Sequence, residues 1–157
     1  MASGMVDENE ISSWHRYFAV ECNNRAWGLA AQPERSPAEA EEMLLQVYAA
    51  AYHWSQVGTP LNGMRAELAL AHVHALLGHA ELAKHYAARV LDFVTRQDVE
   101  DWDLAFAHAE MAHVAATAGD AERHAKHYVD ALAYGERIED EEDRRVFFEE
   151  IARIPRP

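Results

Sequence analysis

Apolar residues recur every three to four positions along almost the whole chain, and the strict alternation of a half-buried strand is nearly absent. Ile11, Trp14, Phe18, Cys22 and Leu29 mark a first stripe. Ala40, Met43, Leu44, Val47, Ala51 and Trp54 mark a second. Further stripes run through Ala66, Ala69, Leu70, Val73 and Leu77, and through Ala83, Tyr86, Ala87, Val90, Leu91 and Val94. Trp102, Ala105, Ala109, Ala112 and Ala116 form a fifth, and Ala121, Ala125, Tyr128 and Leu132 a sixth. Phe147, Ile151 and Ile154 indicate a short closing helix. The pattern predicts an all-α protein of seven helices.

The residues between the stripes agree. Ser36-Pro37-Ala38-Glu39 reads as a capping box with proline at the first helical position, where its missing N–H costs nothing. Thr59-Pro60 repeats the cap and the proline. Gly58, Gly78 and Gly119 are expected just past helix ends, in the left-handed conformation that closes a last turn. Asp120 then caps the next helix. None of the five prolines (Pro33, Pro37, Pro60, Pro155, Pro157) interrupts a stripe.

Residues 66–81 align without gaps on 107–122, with identities that include Ala71/Ala112, His72/His113, Gly78/Gly119 and Glu81/Glu122. Slightly out of register, Ala83-Lys84-His85-Tyr86 matches Ala125-Lys126-His127-Tyr128. The repeating unit is a helix, a glycine turn and a second helix. Three hairpins are expected over about 11–56, 60–96 and 100–138, with a capping helix over about 141–152. One hairpin cannot bury its own stripe, so stacking follows. The expected organisation is a disordered tail over 1–10, a single helical domain over 11–152 and a short tail over 153–157.

Small residues at Ala71 and Ala112, a glycine seven residues later, and the Gly119-Asp120 turn resemble the tetratricopeptide repeat. Glu67 and His108 stand where that family usually has tryptophan, and the unit is longer than its usual length. The resemblance implies a right-handed array of antiparallel hairpins with a concave groove. It places His72 and His113 at equivalent groove positions, with Arg65 and Phe106 sharing another. The segments Asn23–Trp27, His53–Gly58, Asp101–Ala107 and Ile138–Asp143 also resemble a small bacterial family of unknown function, which implies no mechanism.

Composition narrows the function classes. The 157 residues carry 14 Lys+Arg against 27 Asp+Glu, a formal charge of −13. A nucleic-acid partner, which requires basic surface, is not expected. The single cysteine excludes an intrachain disulfide and cysteine-rich zinc sites. No apolar stretch approaches a membrane span and no leader pattern opens the chain, so a cytoplasmic protein is expected.

Three clusters merit chemical scrutiny. A groove offering His72, His113 and Arg65 suits a carboxylate ligand, while the plainer reading has both imidazoles hydrogen-bonded locally between helices. His53 and Trp54, with Trp14 and Trp27, either wall an aromatic pocket or fill the core, and core filling is the expectation. Glu110-Met111-Ala112-His113 is a Glu-x-x-His unit of the kind used in di-iron bundles. That chemistry needs two such pairs and only one is present, so no native metal site and no cofactor are expected. Cys22 sits on a core stripe, and no nucleophile elbow or phosphate loop occurs, so no catalytic residue is assigned.

The expected role is non-catalytic: a scaffold binding a protein or peptide segment, or a second copy of itself as a homodimer. The alternative is a small-ligand or sensory domain with a pocket near His53, Trp54, Arg65 and His72. A metal-dependent enzyme built on Glu110 and His113 stands third.

Overall fold

A computed structural model describes residues 7–157. Seven helices follow one another: α1 (Glu8–Ala30), α2 (Pro37–Val57), α3 (Pro60–Leu76), α4 (Ala80–Arg96), α5 (Asp101–Thr117), α6 (Ala121–Gly135) and α7 (Glu141–Ile151). The architecture is all-α and built of helix hairpins, with no strand among the described residues. The chain forms two compact units, one ending at Ala66 and one running from Glu67 to Pro157.

The caps form where the sequence puts them. Ser36 and Glu39 close a reciprocal capping box at α2. Thr59 Oγ1 accepts from the Asn62 amide while Asn62 Oδ1 accepts from the Thr59 amide, so the box at α3 uses asparagine in place of glutamate. Asp120 caps α6 through the Arg123 amide. The acidic run around Glu141, Glu142 and Asp143 is the first turn of α7, where negative charge complements the helix dipole.

Gly78 and Gly119 adopt φ of 75° and 74°. In each turn the next residue's amide reaches back to the same carbonyl, His79 to His74 and Asp120 to Ala115, so the two loops are one device used twice. Gly58 departs from expectation. Its φ of −82° and ψ of 167° are extended. What requires glycine there is proximity: a Cβ would lie 2.6 Å from the Trp54 carbonyl oxygen.

In the first unit α1 packs on α2 through Ala19, Ala26 and Ala30, against a face with Met43, Val47 and Ala50 buried. The expected stripe of Ile11, Trp14 and Phe18 is instead exposed. At about 100° per residue the three alanines share one narrow arc, while the aromatic residues lie about 100–160° away from it. The side with small residues permits the closer helix approach. α1 also begins at Glu8, inside the expected 1–10 tail, because the Asp7 carboxylate accepts from the Asn9 amide. Residues 1–6 of that tail lie outside the described residues.

In the second unit α5 is the central element, packed on α4, α6 and α7. Ala71 and Ala75 of α3, Ala83 and Ala87 of α4 and Val114 of α5 form one cluster. Ala105, Ala109, Tyr128, Ala131, Ile138, Phe147, Ile151 and Ile154 form another. The expected 153–157 tail is tied down: Ile154 is buried, and the Pro155 carbonyl accepts from His124 Nε2 at 2.7 Å.

Candidate functional site

Most of the buried polar residues of the second unit lie on α3, α5 and α6. Glu110 and His113 are one turn apart on α5 and therefore share a face. His72 of α3 completes the group. Its Nδ1–H donates to Glu110 Oε2 at 2.8 Å, and the His113 Nδ1–H donates to Oε1 at 2.9 Å. The two rings lie 5.1 Å apart. Burial pushes the Glu110 carboxyl up, but the charge and hydrogen bonds of His72 and His113 outweigh it and hold it at about 2. One carboxylate on α5 thus ties together the two histidines that the internal repeat makes equivalent. Both of its oxygens are occupied by donors, which suits a positioning network better than a poised base.

A second group joins α5 to α6. His108 Nδ1 faces His127 Nδ1 at 3.0 Å, and Asp130 Oδ2 lies 3.7 Å from His108 Nδ1. The His108 ring stacks on Tyr134, centroids 5.3 Å apart and planes within 16°, which fixes its orientation. The chain carried a signal for this group that the sequence reading missed. His127-Tyr128-Val129-Asp130 puts an imidazole and a carboxylate on one face. About the Gly119 turn, positions 108 and 130 are symmetric, so an antiparallel hairpin brings them opposite.

Histidine pairing recurs. His74 Nδ1 meets His79 Nδ1 at 3.0 Å, and His15 Nδ1 meets His53 Nδ1 at 2.8 Å. Burial, then the neighbouring imidazole, pushes the pKa down for His74 (with His79) and for His53 (with His15). A histidine whose folded pKa lies below its unfolded value binds fewer protons in the native state, so stability falls as pH drops through 6.5 towards the folded value. The melting temperature is therefore expected to decrease steadily from pH 7.5 to pH 5.5 in scanning fluorimetry. A flat or rising trend contradicts these assignments.

The other sequence candidates are distributed as follows. His53, Trp54 and Arg65 belong to the first unit, with His53 and Trp54 half-buried and Arg65 exposed on α3. Phe106 belongs to the second unit and packs against Trp102 and Phe147, with ring centroids 4.5 and 5.2 Å away. The Cys22 thiol is half-buried and pushed up mainly by burial, the reverse of an activated nucleophile.

The first unit presents an aromatic face. Trp14, Tyr17 and Tyr52 are 54%, 53% and 59% exposed, and Phe18 is exposed beside them. The Trp14 and Phe18 rings stack at 6.0 Å, and Tyr17 meets both edge-on. This placement corrects the expectation that Trp14 fills the core.

No protein-family model matches the chain, and neither a curated protein nor a solved structure is significantly similar to it. The two resemblances drawn from the sequence rest on the residues quoted for them. Among the described residues, no helix is long and apolar enough to cross a membrane.

Proposed function

We propose that this protein is a non-catalytic interaction module that associates with a second copy of itself through the aromatic face of its first hairpin. The observation that carries this reading is the ordered, exposed ring cluster of Trp14, Tyr17 and Phe18 beside Tyr52. A helix apolar on two arcs is ordinarily covered on both, and although Phe18 stacks on His53 of α2, Trp14, Tyr17 and Phe18 all stay exposed. Aromatic side chains dominate binding hot spots because they supply area with few rotors to freeze. An uncharged ring cluster is complementary to its own copy across a two-fold axis, as an isologous contact requires.

The equivalent turns at Gly78 and Gly119 support the finer reading of a tetratricopeptide-like array. Charge shapes the expected behaviour. Copies carrying −13 repel, so added salt strengthens rather than weakens their association.

Sedimentation velocity across a hundredfold concentration range tests the proposal. The mass is expected to rise from one chain towards two, more readily in 0.5 M than in 0.05 M salt. Trp14→Glu, at a half-exposed position where folding cost is small, is expected to weaken association tenfold or more. A single-chain mass at every concentration overturns self-association.

A further inference from the structure

We propose that His108, His127 and Asp130 form a binding site for a divalent transition-metal ion, bridging the α5–α6 hairpin. Nothing in the self-association reading requires it, and neither depends on the other.

Three features of the group point to a cation. The first is donor geometry. Two imidazole nitrogens face one another at 3.0 Å with a carboxylate oxygen at 3.7 Å from the first, and all three ligand atoms lie within 4.8 Å of one another. Ligands about 2.1 Å from an ion are separated by about 3.0 Å at right angles and about 3.4 Å at the tetrahedral angle. The 3.0 and 3.7 Å spacings bracket those values and the remaining pair stays within 4.8 Å, so an ion enters with a side-chain adjustment of the Asp130 carboxylate.

The second feature is protonation. Two neutral imidazoles pointing Nδ1 at Nδ1 share a single hydrogen between them. A tautomer change on one ring turns both lone pairs towards the same point, where a cation replaces that hydrogen. Two nitrogens and one carboxylate oxygen match the preference of zinc, cobalt or nickel rather than calcium or magnesium, which favour all-oxygen sets.

Access is the third. The His108 and Asp130 side chains are 13% and 36% exposed, so an ion arrives from solvent and keeps waters on its remaining positions. The lysine nearest the site, Lys126, meets Asp130 only at 3.4 Å from a well-exposed position and can swing aside. The stacked Tyr134 ring holds His108 in place before the ion binds, which reduces the ordering cost.

His72, Glu110 and His113 also cluster within ligand reach of one another, but they are the poorer host. Both Glu110 oxygens already accept an N–H, and all three residues are buried. An ion there would have to break both of those bonds and bind with no direct access to water. Among the described residues, neither of the pairs His15–His53 and His74–His79 belongs to such a group with a carboxylate.

Chelator-stripped protein titrated with Co²⁺, followed by visible d–d absorption, and with Zn²⁺, followed by calorimetry, tests the site. One equivalent is expected to bind with the bands of a mixed nitrogen and oxygen set. Asp130→Asn, which keeps shape at a partly exposed position, is expected to weaken Zn²⁺ binding at least tenfold. His108→Gln is expected to weaken it at least as much, while Glu139→Gln, at an exposed position, leaves it within twofold. No uptake by the native chain, or native affinity in Asp130→Asn with its circular dichroism unchanged, overturns the assignment.

Discussion

Replacing Glu110 by alanine is expected to destabilise the second unit by about 2–5 kcal/mol, the cost of unsatisfied buried partners together with a cavity. Glu110 is 3% exposed and is the shared acceptor for His72 and His113. Alanine leaves two imidazole N–H groups without that acceptor and a void where the side chain lay, and each effect alone destabilises. Urea unfolding followed by far-ultraviolet circular dichroism measures it. A loss under about 1 kcal/mol means that the rings find other acceptors and the carboxylate does not hold α3 to α5.

The same residue sets an acid signature. A carboxyl at about 2 when folded, against an ordinary 4.5, contributes stability that is fully present above the ordinary value and is lost as pH falls towards 2. The alanine variant is expected to lack that component, so its stability falls less between pH 5 and pH 3 than that of the native chain.

Gly135→Ala is expected to cost about 1–3 kcal/mol, although alanine is the better helix former. An added Cβ falls 2.2 Å from Phe147 Cε1 and 2.6 Å from its Cδ1. Phe147 is 0% exposed and is held by Phe106 and Phe148, so the ring has nowhere to go. The control is Gly28→Ala on α1, where nothing lies within 4 Å of the new carbon. That change is expected to raise stability by about 0.5–1 kcal/mol, the ordinary gain inside a helix. The two substitutions thus share a chemistry and differ in sign. Equal effects on thermal midpoint contradict the packing assigned to Phe147.

Much of the fold was legible because its cues are local. The capping residues Ser36, Thr59 and Asp120 act on amides within three residues, and the Gly78 and Gly119 turns close over five. Periodicity located every helix. It failed at α1 because a stripe marks which residues are apolar, not which arc a partner will cover. Alanines at 19, 26 and 30 are faint in such a pattern, yet they permit the closest approach. Gly58 misled for a similar reason, since glycine serves both a left-handed turn and a tight carbonyl contact. His72, Glu110 and His113 were each noted in the sequence, but their common carboxylate depends on how α3 packs on α5. His108 escaped because its partners stand on another helix.

The placement of α7 bears on how such a chain can lengthen. Phe147, Ile151 and Ile154 share a core with Ala105 and Ala109 of α5 and Tyr128 and Ala131 of α6. α7 packs directly on both of those helices. They occupy apolar surface that one more hairpin would need in order to stack there. A further helix pair stacking on that face of α5 and α6 would first have to displace α7 and re-expose Phe147 and Ile151.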